Sequence, residues 1–251
     1  MSELYPIPMN EASNAFLDCW GAAAEHLKSM PTDHALRFCN VSSSPPWLEH
    51  FCFLSGNQIF FVCIEDAAGV LDSPSGRRHS IMAAEQAGGI PCVMEVQCSG
   101  GAWEPAHSGW SLRHAVTGEP VTPPELVTPQ KIEISDWELL DFAVERVCDE
   151  LCQEGGIILS KSPDNRVLPS LFFHKADRQE FVQVYVARYP NDPEPNLDQL
   201  REMSEQIGCS GYFALVTVAS EHEPFDPEVK EGFPLYRGDG YIVKYGGLVD
   251  I

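Results

Sequence analysis

The chain is poor in basic residues: 16 Lys and Arg stand against 37 Asp and Glu in 251 residues, a formal net charge of −21 at pH 7. A field of that sign repels phosphate backbones, which argues against nucleic-acid binding and favours encounter with a basic protein partner. Residues 1–125 hold 5 basic and 14 acidic side chains, and residues 126–251 hold 11 and 23, so the excess belongs to no single tail. Long apolar runs are missing. None approaches the roughly 20 residues of a membrane span, and no membrane partner is expected. Met1-Ser2-Glu3-Leu4-Tyr5 lacks a basic region followed by an apolar core, so no secretory signal is read there. The nine cysteines form no disulfide framework, and Cys39, Cys52, Cys63 and Cys92 stand in apolar runs, where a thiol behaves as a small hydrophobe. A reduced, cytoplasmic protein is expected. There is no Gly-x-Ser-x-Gly elbow, and Ser99-Gly100-Gly101 is too short for a phosphate loop.

What is present is a succession of elements that occurs twice, with little residue identity between the copies. Apolar residues make up 44% of the chain, enough for filled cores. In the first half a helical stretch, Asn10 to Met30, leads to Leu36–Cys39, then to Trp47–Leu54. The break Ser55-Gly56-Asn57 turns into Ile59–Ile64, and an acidic loop precedes a helix near His79 to Ala87. Cys92–Val96 and Gly109–Arg113 close the unit. The second half offers a helix over Asp136 to Glu154, then Ile157–Leu159 and Leu171–His174. A break at Ala176-Asp177-Arg178 leads to Phe181–Val186. A helix near Leu197 to Ile207, Tyr212–Val218 and Gly240–Lys244 complete it. Order and spacing are the warrant for a repeat.

Local patterns support these readings. Trp137, Leu140, Val144, Val147, Cys148 and Leu151 recur at helical spacing, with charged residues on the other face. Ser135-Asp136-Trp137-Glu138 has the form of a capping box, and Gly155-Gly156 can end the helix. Phe16, Trp20, Ala24 and Leu27 mark one face of the first helix, which Pro31 ends. Ile59–Ile64 and Tyr212–Val218 are nearly continuous apolar runs, as expected of strands covered on both faces. The order from Phe181 through the Leu197 helix to Val218 predicts a crossover between parallel strands. Four prolines between Glu119 and Pro129 argue against a helix and predict a semi-rigid linker. The expected organisation is a first α/β unit over 1–118, a linker over 119–130 and a second α/β unit over 131–251. Each unit is α-β-β-β-α-β, with a mixed sheet flanked by helices.

That order, with phrases such as Val186-Ala187-Arg188-Tyr189-Pro190, Gly211-Tyr212-Phe213-Ala214 and Trp103-Glu104-Pro105 followed by Gly109-Trp110, resembles a group of uncharacterised bacterial proteins with a restriction-endonuclease-like fold. The resemblance implies no established activity. It does imply where nuclease chemistry would sit: an acid at the start of the second strand and an acid-x-lysine pair on the third, holding Mg²⁺ and positioning a water. The second unit reads Pro169-Ser170-Leu171 and Gln183-Val184-Tyr185 at those places, with neither acid nor lysine. The first unit offers Glu49, Glu65 and Asp66, with no lysine two positions on. A degenerate nuclease-like fold without its catalytic residues or cofactor is the preferred reading. A divergent Mg²⁺-dependent nuclease or phosphodiesterase using Glu49, Glu65 and Asp66 is the alternative.

Other constellations are weaker. Cys92, Cys98, His107 and His114 lack the paired spacing of structural zinc sites, and Cys148 of the Cys148/Cys152 pair falls on an apolar stripe. No metal site is assigned. Aromatic and arginine side chains in loops are the remaining candidates for binding: Trp103, Trp110 and Arg113 in the first unit, and Arg188, Tyr189, Tyr236 and Arg237 in the second, near Phe233 and Tyr241. Arg188 and Tyr189 follow a strand end, a usual ligand position in an open α/β sheet. The competing reading is that these side chains cover the cores or seal the two units together. The function expected is non-catalytic binding of a basic protein, in a neutralising or regulatory role.

Overall fold

The computed structural model describes residues 11–31, 36–39, 49–176, 178–222, 225–226, 228 and 230–251. Trp47, Leu48 and Asp177, which figure in the strands and turns expected above, lie outside them. The chain divides into two compact units, Met1–Gln130 and Lys131–Ile251. Both are mixed α/β structures.

The first unit opens with α1 (Asn14–Ser29), capped by the Ser13 hydroxyl, which accepts the Phe16 N–H at 3.2 Å. It continues through β1 (Leu36–Phe38), β2 (Phe51–Ser55), β3 (Gln58–Asp66), α2 (Arg77–Ala87) and β4 (Ile90–Ser99). Three short strands follow: β5 (Ala102–Pro105), β6 (Leu112–His114) and β7 (Pro120–Val121). The sheet order is β1-β2-β3-β4-β6-β7, with β5 also paired to β4. Among the described residues of this unit only β3 and β4 run parallel, joined by the α2 crossover. Phe16, Ala24 and Leu27 of α1 are buried, as their spacing predicts, and Trp20 is half-buried.

In the second unit α3 (Asp136–Gln153) is followed by β8 (Ile157–Lys161), β9 (Leu171–Lys175), β10 (Arg178–Arg188), α4 (Leu197–Ile207), β11 (Gly211–Ser220) and β12 (Tyr241–Asp250). The order is β12-β11-β10-β9-β8, again with a single parallel pair among the described residues, β10 with β11. The capping box is formed: Ser135 Oγ accepts the Glu138 N–H at 3.2 Å, and Glu138 Oε2 accepts the Ser135 N–H at 2.8 Å. The stripe from Leu140 to Leu151 packs on one face of the sheet, against Leu171, Phe173, Val182, Val184 and Ala214. Leu200 and Met203 of α4 pack with Phe181 and Phe213 in a separate cluster. Because β10 and β11 meet apolar clusters of both kinds, their sequences show runs rather than alternation.

The sheets differ in strand number, seven against five, but the first four strands of each unit and the helix between its parallel pair correspond in order and register. In each parallel pair the partner lies thirty residues further along the chain: Phe60 opposite Ile90, and Phe181 opposite Gly211. A step of 120 positions carries Ser55–Gln58 onto Lys175–Arg178, and Arg77–Ala87 of α2 onto Leu197–Ile207 of α4. The same step carries the left-handed cap Gly88 onto the left-handed cap Gly208. Gly56 and Ala176, both at positive φ, occupy the same turn position.

Residues 119–130 are integral to the first unit. Pro120–Val121 pairs with β6, and Pro123–Leu126 forms a 3-10 turn with proline in its opening positions, where a missing N–H costs nothing. The Asn57 amide donates to the carbonyls of Thr128 and Gln130 at 3.0 and 2.6 Å. Proline content argued against an α-helix, and none forms, but it also suggested a spacer, and the segment is instead tied down by these bonds.

Candidate functional site

The second strand of each unit begins beside the third, and this junction is where the nuclease fold would place its acids. In the second unit the Ser170 Oγ accepts the Val184 N–H at 3.1 Å. The Ser170 N–H donates to Gln183 Oε1 at 3.2 Å, and Gln183 Nε2 donates to the Val184 carbonyl at 3.2 Å. Ser170 and Gln183 are both buried. The junction is therefore compact, neutral and bonded within itself.

The first unit repeats the bond with a different side chain. His50 stands 120 positions before Ser170 and Ile64 stands 120 before Val184, and His50 Nδ1 accepts the Ile64 N–H at 2.7 Å. Because Nδ1 accepts, the neutral ring carries its proton on Nε2, which faces the Ser75 hydroxyl at 3.0 Å. Burial pushes the His50 pKa down from 6.5 to about 3. Gln183 corresponds by the same step to Cys63, whose thiol is pushed up, first by burial and then by the nearby Glu65 carboxylate.

Of the three carboxylates of the alternative reading, Glu65 and Asp66 are engaged with separate partners. Glu49 lies two residues ahead of β2 rather than within the strand, and is buried. Glu65 is held by both arms of Arg77, at 2.7 and 2.8 Å. Asp66, next along an extended strand and so on the opposite face, accepts the N–H groups of Ala68, Val70 and Leu71 at 3.0, 2.9 and 3.1 Å. Those bonds, led by the one from Ala68, hold its pKa below the usual carboxylate value. Among the described residues no three His, Cys, Asp or Glu side chains gather as a metal site.

Beside the Ser170–Gln183 junction a cavity of about 550 Å³ opens where β10 ends. That volume is in the range of small-molecule sites. Leu139 and Leu140 of α3, Leu168, and Val184 and Val186 of β10 supply its apolar wall. Asn165, Asn191 and Gln199 add amides, and Arg188 and Asp136 add the charges. Arg188 Nη2 donates to the Ile134 carbonyl at 2.7 Å, and Nη1 donates to Asp136 Oδ1 at 2.6 Å. The Arg188 side chain is 28% exposed and that of Asp136 is 83% exposed.

The other loop candidates are dispersed. Tyr189 does not line the cavity; its ring packs edge-on against Phe225 at 5.2 Å and its hydroxyl donates to the Asp226 carbonyl. Arg237 is buried, with Nε and Nη2 donating to Glu138 Oε1 and Oε2 at 2.7 and 2.8 Å. Tyr236 bridges in backbone to Glu133 and lies beneath the Lys131 ammonium, 5.0 Å from its ring centre. Trp110 is buried in the first core, and Trp103 packs against that core. Arg113 donates to the Gly118 carbonyl at 2.9 Å. Of the seven, Arg188 alone lines this cavity. The sequence marked Arg188 by its place at a strand end. Asp136 was read only as part of a helix start, and its pairing with Arg188 spans 52 positions that no local pattern connects.

Residues 137–251 match the family model described as Domain of unknown function (DUF8840), a match that falls within the second unit. No curated protein and no solved structure matches the chain. No helix among the described residues is long and apolar enough to cross a membrane.

Proposed function

We propose that this protein is a non-catalytic binding protein that engages a basic protein partner from the cytoplasm, on a duplicated and degenerate nuclease-like framework. The observation that carries the reading is the Ser170–Gln183 junction. Acids at these two positions would face one another and hold a divalent ion; here two neutral side chains satisfy each other's hydrogen bonds. In the first unit the matching position holds His50, kept neutral by burial.

The charge balance supports the choice of partner. Both units carry a large acidic excess, and the resulting field accelerates encounter with cationic proteins while disfavouring nucleic acids. Neutralisation or regulation of such a partner requires no chemistry from this chain.

A pull-down with the full chain from native lysate tests the reading. The expected result is a stoichiometric basic protein, released steeply as salt rises through the range in which the Debye length falls from about 10 to about 3 Å. Mg²⁺- or Mn²⁺-dependent cleavage of DNA or RNA by the purified protein, lost in Glu49→Ala or Glu65→Ala, would overturn it.

A further inference from the structure

We propose that the cavity at the end of β10 binds a small organic carboxylate with an apolar body, and that Asp136 occupies the ligand's charged position until one arrives. The chemistry of the wall sets the class of ligand. Among the described residues Arg188 is the only cation lining the cavity, and it is held from behind by the Ile134 carbonyl, so its guanidinium keeps its direction whatever sits in front. The face turned to the cavity carries the Asp136 carboxylate, a group 83% exposed on the first turn of α3. A pair whose carboxylate stands so far into water is weak and can be exchanged at little cost, while Glu133 Oε1 stays 3.9 Å from Arg188 Nε.

A ligand carboxylate would take the same Nη1–H while its body lies on Leu168 and Val186, the apolar lining side chains that are not buried in the core. Asn191 and Gln199, both exposed at the rim, have side-chain amides that can close over the ligand. Phosphate offers the charge without the apolar body, and would leave Leu168 and Val186 uncovered. This site is independent of the basic partner proposed above, since it selects the opposite charge.

The test is binding of hexanoate, its neutral analogue hexanamide and inorganic phosphate to the full chain, followed by amide chemical-shift changes and calorimetry. Hexanoate is expected to shift residues lining the cavity and to bind at least about tenfold more tightly than hexanamide, the worth of one charge-assisted hydrogen bond. Arg188→Gln should lose that preference. Asp136→Asn should tighten hexanoate by about two- to fivefold, because the internal competitor is removed. A merely structural ion pair would give no such gain, so Asp136→Asn decides the matter even where Arg188→Gln fails to fold. Equal binding of acid and amide, phosphate binding as tight as hexanoate, or no tightening in Asp136→Asn would overturn the proposal.

Discussion

His50 Nδ1 accepts the main-chain N–H of Ile64 at 2.7 Å, and 120 positions later the Ser170 hydroxyl accepts the N–H of Val184 at 3.1 Å. The two units thus solve one problem alike. The chain entering the second strand must satisfy an amide of the third strand that the sheet ladder leaves open, and a side chain does it. A hydroxyl performs the task at any pH. An imidazole performs it only while neutral.

Acid sensitivity follows for the first unit. The folded His50 has its pKa near 3 and the unfolded residue near 6.5, so the unfolded chain takes up the proton first. Its contribution is complete above about pH 6.5 and is lost as pH falls toward 3, by up to about 1.4 kcal/mol per pH unit. Urea unfolding at pH 7.5 and pH 5 should show this slope, and His50→Asn should flatten it. An unchanged slope in His50→Asn would place the acid sensitivity elsewhere.

The Glu138–Arg237 pair is expected to anchor the second unit. Glu138 Oε2 closes the capping box and also meets the Arg237 guanidinium, with side chains only 8% and 2% exposed. Glu138→Ala removes a helix cap and leaves a buried guanidinium with its main carboxylate gone, and should destabilise by about 3–5 kcal/mol. Glu138→Ala with Arg237→Met should recover part of that loss, since no charge then remains buried. Thermal unfolding of the single and double variants measures the coupling.

The two matching turns give predictions of opposite sign. Ala176 has φ +50°, a conformation that disfavours a side chain, so Ala176→Gly should stabilise by about 1 kcal/mol. Gly56 has φ +58°, and a Cβ there would come within 2.7 Å of Val127. Gly56→Ala should therefore destabilise, and by more than Ala176→Gly gains. Denaturant midpoints of the two variants check both signs.

Thiol reactivity should divide the nine cysteines. Cys98 and Cys152 are exposed, whereas burial pushes Cys19, Cys92 and Cys148 up to about 12. Limited alkylation at pH 8 followed by peptide mass spectrometry should find Cys98 and Cys152 modified first, because the thiolate is the reacting form. Early modification of Cys92 would mean that the first core opens readily.

Local signals made the elements legible. The apolar stripe on α3, the Ser135–Glu138 box, the left-handed glycines and the runs through β3 and β11 each act over a few residues, so a reader of the sequence meets cause and effect together. The parallel crossover was legible for the same reason, since strand, helix and strand follow one another directly along the chain, from Arg178 to Ser220. The β5 strand (Ala102–Pro105) and the 3-10 turn after Pro123 were not anticipated, because both are too short to carry a period.

Pairing across distance was hidden. Nothing near Arg237 in the chain points to Glu138, and nothing near Arg188 points to Asp136, so both arginines looked equally available for a partner. Folding separates them: one is sealed with a carboxylate 99 positions away, and the other borders a cavity. Element type and order come from short-range sterics and periodicity, which the primary structure carries openly. Which charge ends buried and which stays reachable depends on how α3, β10 and the loop before β12 close on one another, a condition set only when the chain is compact.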